Sequence, residues 1–330
     1  MGLTLFPIDS AESYIRGFIG KLERVGNTLR WPSEDGVTEL VVQHVDYPTV
    51  DGLIVSEVVT LRHESPALAD IDVALASHLN TWATLSATIP RHDELPAQLV
   101  AKVGIFSQDH LAAERLYAPL ICMEAAIVGW HAARLARGQF RGDPALCPLV
   151  VTDKAPPYES ADYEAAKSLG DGRGYLGTLE DKHYTVEVPW DPGAVSNMFS
   201  LAPLADALRK EGATDDHIAR VSGRTGLLQI GQVDHPLYGP GVQSRLELPL
   251  AVDGDRGHRL VTRLNVWELG APDLPPQFGS WCIGHRAPTF VSFFPTQLCV
   301  PGLLSNLFIW NMARFFRVRE WLIECAEVKN

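Results

Sequence analysis

The chain has 330 residues, of which 46% are hydrophobic and 21% charged. That fits a folded protein with a real core and about two domains of ordinary size, and it excludes a disordered chain. A formal net charge of −12 argues against a nucleic-acid binder, which needs a basic surface to displace counterions, and against docking on an anionic membrane.

Residues 10–25 are predicted to form the first helix. Ser10 can cap it, Glu12 sits in its first turn, and Tyr14, Ile15, Phe18, Ile19 and Leu22 recur at helical spacing. Gly26 and Asn27 are read as its stop. Three strands follow at 28–32, 38–47 and 53–63. The last two are joined by a turn rich in Asp, Pro and Gly, with Asp51-Gly52 as the hairpin signal. A helix is predicted over 70–82, with Ile71, Leu75, Leu79 and Trp82 on one face. Strands over 83–89 and 98–106 flank a charged loop that contains Arg91, His92, Asp93 and Glu94. A long helix covers 111–137. Arg134 and Arg137 complement the dipole of its last turn, and Gly138 ends it.

Residues 139–192, rich in Gly, Pro, Asp and Ser, read as a connection. Within them Gly172-Arg173-Gly174-Tyr175-Leu176-Gly177 has the spacing of a dinucleotide fingerprint. That motif requires a strand before its glycines and a helix after them. Here a short helix is predicted before it, over 161–169, and a strand after it, over 183–188, so the segment is read as linker. The second half is predicted as a helix over 201–210, strands over 225–233 and 241–252, a helix over 257–269, strands over 279–283 and 289–294, and a final helix over 303–326. The uncharged stretch 290–310 holds Pro295, Pro301 and Gly302, so it reads as strand, turn and helix start rather than as a membrane span.

The two halves share landmarks in the same order. His44-Val45-Asp46-Tyr47-Pro48 returns as Gln232-Val233-Asp234-His235-Pro236, Leu79-Asn80-x-Trp82 as Leu264-Asn265-x-Trp267, and Phe106-Ser107 as Phe294-Pro295. The expectation is an α+β protein made of two copies of an antiparallel sheet with helices packed on it, related by a pseudo-two-fold axis. The first module spans 1–138, the connection 139–192 and the second module 193–330.

The final helix carries Phe308, Trp310, Phe315 and Phe316 among other apolar residues, with Arg314, Arg317, Arg319, Glu320 and Glu324 assigned to a polar side. It is apolar around more than the single stripe that one sheet requires. Its second surface is either the first module, a groove for another protein, or a homodimer contact. Trp82 and Trp267, which align between the copies, are either core anchors or a repeated aromatic handle for a bound peptide. The candidate partner-binding residues are therefore Trp82, Trp267, Phe308, Trp310, Phe315 and Phe316.

Chemical motifs are scarce. None of the eleven histidines forms HExxH, HxH or a His–Cys pair at metal spacing, so no metal site is expected, and no cofactor either. Asp46 and Asp234 are either an acid pair brought together near the axis or Asx-type turn residues. His44 and His235 neighbour them but at different positions. No GxSxG or Walker loop is present, and no catalytic residue is assigned. The five cysteines, Cys122, Cys147, Cys282, Cys299 and Cys325, are odd in number and include no CxxC pair. They read as reduced thiols of a cytoplasmic protein. The start, Met-Gly-Leu-Thr-Leu-Phe-Pro, lacks the basic region and long apolar core of a signal peptide.

The order helix, three strands, helix, two strands, helix resembles the superfamily of class I type III secretion chaperones and YbjN-like proteins. The closest part is Leu79-Asn80, then Leu99-Val100-Ala101-Lys102-Val103-Gly104-Ile105-Phe106, then the helix from Leu111. It covers most of the first module and, more loosely, the second. Members are small α+β domains that pair side by side and hold extended segments of client proteins without catalysing a reaction. The resemblance implies a fused pseudo-dimer acting as a chaperone or adaptor for another protein or peptide segment. The connection 139–192 and the Pro-rich loops of the second module depart from the pattern. The alternatives are an enzyme with its site between the two modules and a structural subunit of a larger assembly.

Overall fold

The computed structural model describes residues 5–17, 19–33, 36–48, 54–66, 68, 80, 86–88, 98–106, 208–211, 218–223, 226–235, 239–252, 254–270, 279–284, 287–295 and 303–327. In the first half these form helix α1 (Ile8–Arg16) and strands β1 (Glu23–Val25), β2 (Thr28–Ser33), β3 (Gly36–Pro48), β4 (Ile54–Glu64), β5 (Ser86–Thr88) and β6 (Gln98–Phe106). In the second half they form β7 (Leu208–Glu211), β8 (Ile218–Gly223), β9 (Gly226–His235), β10 (Gly239–Glu247), helix α2 (Gly254–Gly270), β11 (Ser280–Ile283), β12 (Pro288–Pro295) and helix α3 (Leu303–Glu327). The class is α+β.

There are two six-stranded antiparallel sheets, ordered β1-β2-β3-β4-β6-β5 and β7-β8-β9-β10-β12-β11. Both trace the same path. Four strands meander by hairpins, the chain leaves, and the last strand returns beside the fourth with the short strand outside it. The predicted β3–β4 hairpin is present, with Pro48 opposite Ile54 and a register shift between His44 and Tyr47.

The first sheet has two unlike faces. Alternation along β4 and β6 puts Glu57, Val59, Leu61 and His63 on one side with Leu99, Ala101, Val103 and Ile105, and all are buried. The segment ahead of α1 is anchored there. The backbone N–H groups of Leu5 and Phe6 donate to the two oxygens of buried Glu57 at 2.8 and 2.6 Å. Helix α1 buries Ile8, Ala11 and Ile15, one apolar stripe. The opposite face carries Val58, Thr60 and Arg62 against Gly104, Lys102 and Val100. It meets helices of the second half: Val58 forms a buried cluster with Trp310 of α3, and Val45 packs against it.

On the second sheet, Asn311 of α3 donates to Ser244 Oγ at 3.0 Å, and Ser244 shares a 2.6 Å hydrogen bond with Ser292 on the neighbouring strand. Trp310 faces the first sheet and Asn311, one residue on, binds the second. Helix α3 thus lies between the two sheets, which accounts for its having more than one apolar face.

Three expectations change. The first helix stops at Arg16 and β1 takes residues 23–25. Gly17 and Gly20 follow the helix, and glycine costs about 1 kcal/mol in a helix interior. Gly26, with φ of 59°, turns the β1–β2 hairpin instead of capping a helix. The helix expected over 201–210 gives way at Leu208–Glu211 to strand β7, which pairs with β8. β8 is the next strand of the chain, with Glu211 opposite Arg220, and apolar residues at helical spacing do not register such a pairing; no strand is expected at 218–223 from the sequence. The helix at 111–137, the connection 139–192 and both module boundaries lie outside the described residues, as does the helix at 70–82 apart from Asn80.

Candidate functional site

The repeated Leu-Asn pair has a structural meaning. The Asn265 side-chain amide, on α2, faces the backbone of Trp281 on edge strand β11. It accepts from the Trp281 N–H at 2.8 Å and donates to the Trp281 carbonyl at 2.8 Å. Asn80, its counterpart in the first half, donates to that same carbonyl at 3.2 Å, and Ser280 Oγ donates to the Asn80 carbonyl at 2.7 Å. One side-chain amide thereby does the work of a neighbouring strand, closing an edge that would otherwise expose unpaired donors and acceptors. The second amide ties the first half of the chain to it. We expect Asn265→Ala to cost about 1–3 kcal/mol by orphaning the buried Trp281 N–H. Hydrogen exchange at the Trp281 amide is the check: exchange as slow as in the unaltered chain would remove this account.

Beside this junction lies a charged cluster. Arg314 of α3 is fully buried. Its Nε and Nη2 donate to Glu268 Oε1 at 2.7 and 2.5 Å, and Trp281 Nε1 donates to Glu268 Oε2 at 2.7 Å. The guanidinium lies over the Phe290 ring, 3.8 Å from its centroid, where the ring face attracts a cation. From the first sheet, Lys102 Nζ donates to the Leu269 carbonyl near the end of α2, where a cation complements the helix dipole.

Burial pushes the Lys102 ammonium below the ordinary lysine value of 10.5. The Glu268 carboxylate works against that shift and the Arg62 guanidinium adds to it. A base held below its unfolded value leaves the unfolded chain binding more protons. Stability therefore rises with pH from the folded pKa of Lys102 up to 10.5. We expect Lys102→Met to remove this rise and to unfold at an equal or higher temperature near neutral pH, because a buried charge is deleted. Thermal melts across the alkaline range of both proteins test it. A variant that is less stable at every pH would show that the bond to Leu269 outweighs the cost of burial.

The candidate partner-binding residues fall in different places. Trp310 and Phe315 are each 4% exposed, so both side chains are occupied inside the molecule. Phe316 is partly exposed and makes an edge-to-face contact with Phe315 at 5.5 Å. Trp267, also partly exposed, stacks at a tilt on Trp321 with centroids 5.6 Å apart, and Arg263 lies 5.4 Å over the Trp321 ring. Ile323, on the last turns of the same helix, is 48% exposed. Trp82 lies outside the described residues. Phe308 is in α3, but its side chain is not described.

His44 lies 3.3 Å from Glu57, a carboxylate already bound by two backbone N–H groups. Asp46 is exposed on β3, and Asp234 lies on β9 with its side chain not described. The loop at 91–94 is outside the described residues. Cys282 is buried and Cys325 partly buried, both as free thiols.

Sequence reasoning missed the Glu268–Arg314–Lys102 cluster. Arg314 had been assigned to a polar side of the last helix and is instead enclosed. The available signal was its position as the only charged residue between 303 and 316, where a solvated arginine would be out of place.

Among the described residues, no group of three or more His, Cys, Asp or Glu is placed to hold a metal ion, and no helix is long and apolar enough to cross a membrane. No protein-family model, curated protein or solved structure matches the chain.

Proposed function

We propose that the chain is a duplicated α+β protein, its two modules standing in for the subunits of a side-by-side dimer, and that it holds another protein or peptide segment as a chaperone or adaptor. Support for the duplication comes from the common strand order of the two sheets, the repeated sequence landmarks, and the paired asparagines that meet at Trp281. The observation that carries the docking role is the Trp267–Trp321 pair, two large aromatic side chains left partly exposed on neighbouring helices. Aromatic side chains of this kind are enriched at the anchoring points of interfaces. Strand addition is the weaker route. The outer edges β1 and β7 are short and carry charges, as Glu23-Arg24-Val25 and Leu208-Arg209-Lys210-Glu211, which blunts an edge against pairing.

Affinity purification of the intact chain from its native host at low salt, with mass spectrometry of what accompanies it, is the test. One dominant companion is expected, lost on Trp267→Ala and on Trp321→Ala while both variants stay folded. A monodisperse protein with no companion would overturn the reading. The Glu268–Arg314–Lys102 cluster favours a second reading, an enzyme whose site lies between the sheets. A metabolite screen by thermal shift separates the two.

A further inference from the structure

Helix α2 has two unlike sides. Val261, Leu264 and Asn265 are buried, and Gly257 with them. On the opposite side Arg256, Arg259, Arg263 and Trp267 follow one another at spacings of 3, 4 and 4 residues, which sets them in one stripe along the helix. Arg256 and Arg259 are exposed, and Arg263 and Trp267 partly so. Helix α3 completes the surface at one end. Its Trp321 lies against Trp267 with centroids 5.6 Å apart, and the Arg263 guanidinium lies 5.4 Å from the Trp321 ring centroid. Among the described residues no carboxylate pairs with Arg256, Arg259 or Arg263. The acids closest along these helices are otherwise engaged. Glu268 is bound by Arg314 and Trp281, and Glu320 by Arg317. Asp255 sits in the first turn of α2, where it complements the helix dipole.

The whole chain carries a net charge of −12, so a stripe of arginines without acidic partners is a local reversal of its surface. We propose that this stripe receives an acidic peptide segment of the partner protein, laid along α2 with an apolar side chain of its own against Trp267 and Trp321. The proposal rests on the docking role above and gives its partner a chemistry. From Arg256 to Trp267 the stripe runs about 16 Å at the helical rise per residue, the span of about five residues of extended chain. That length, ending in two indole rings, suits a peptide better than a free anion. Guanidinium groups hold carboxylates through paired N–H donors, and Arg263 is already positioned by the ring beneath it. Elsewhere the acidic surface repels such a segment, so charge fixes where it lies as well as whether it binds.

Fluorescence anisotropy of the full chain with a labelled peptide that alternates glutamate with leucine and ends in tryptophan tests it, against the same peptide with glutamine in place of glutamate. Tighter binding of the glutamate peptide is expected, weakening as salt is raised. Arg256→Gln combined with Arg259→Gln should weaken that binding about threefold to tenfold and leave the glutamine peptide unaffected. Both positions are exposed, so the double variant should stay folded. The proposal is overturned if the glutamine peptide binds as tightly, or if the double variant binds the glutamate peptide undiminished. It is also overturned if an oligouridylate of equal charge binds as well, which would make the stripe a general polyanion surface. Affinity purification separates this failure from that of the docking role. A dominant companion lost on Trp267→Ala but kept by the arginine double variant would sink the acidic chemistry alone, whereas no companion would remove the role itself.

Discussion

Replacing Glu268 with leucine should destabilise the protein by about 3–5 kcal/mol, the usual cost of leaving one member of a buried ion pair without its partner. Arg314 has no exposure and Glu268 accepts two of its N–H groups, so neither water nor a rotamer change can rescue the guanidinium. The pairing itself need not be stabilising. The desolvation of two ions is offset only by their mutual attraction, so Arg314→Met added to Glu268→Leu should recover most of the loss. A residue of about 1–2 kcal/mol should remain, because Trp281 Nε1 also loses its acceptor. A double-mutant cycle from equilibrium urea unfolding measures both quantities. A Glu268→Leu cost below about 1 kcal/mol would place this pair among solvent-screened contacts and contradict the enclosure described here.

Trp310→Ala should produce a loss of similar size, about 3–5 kcal/mol, as the largest core truncations do. The reason is its location. Trp310 belongs to a helix of the second half but packs on Val58 of the first sheet, with Val45 alongside. The cavity would open between two sheets, where collapse requires moving both. Trp321→Ala, at a partly exposed position, serves as the comparison and should cost about 1 kcal/mol or less. Urea unfolding followed by circular dichroism, which does not rely on the altered tryptophan, distinguishes the two. Equal costs would mean that α3 is not held between the sheets in solution.

The pattern in the sequence anticipated much of the described architecture. Thr28–Ser33, Gly36–Pro48, Ile54–Glu64, Gln98–Phe106, Gly226–His235, Pro288–Pro295 and both helices of the second half appear within a few residues of their expected limits. These elements have strong local signals: β-branched runs bounded by turn residues, or apolar residues at helical spacing. The failures have the opposite character. Strands β1, β7 and β8 are short and lie at or next to sheet edges, so none carries a run of alternating apolar residues long enough to mark a strand, and antiparallel pairing with the next strand of the chain sets their conformation.

The same division holds for the candidate sites. Duplicated words such as Leu-Asn could be read directly, and they marked residues that matter, but not what they do. That Asn80 and Asn265 reach one carbonyl is a fact of three dimensions. Arg314 shows the limit most plainly. Helical spacing gave it a place on a polar side, while the tertiary structure enclosed it by setting Glu268 of another helix and Phe290 of a strand against it. By itself the sequence determined the α+β class, most of the described strands and helices, and the recurring landmarks, because those depend on side-chain periodicity and backbone preference within a dozen residues. Only the tertiary structure decided which charges are buried together and which face of α3 meets which sheet, because those depend on residues far apart in the chain whose desolvation and pairing are settled when the two sheets close around the helix.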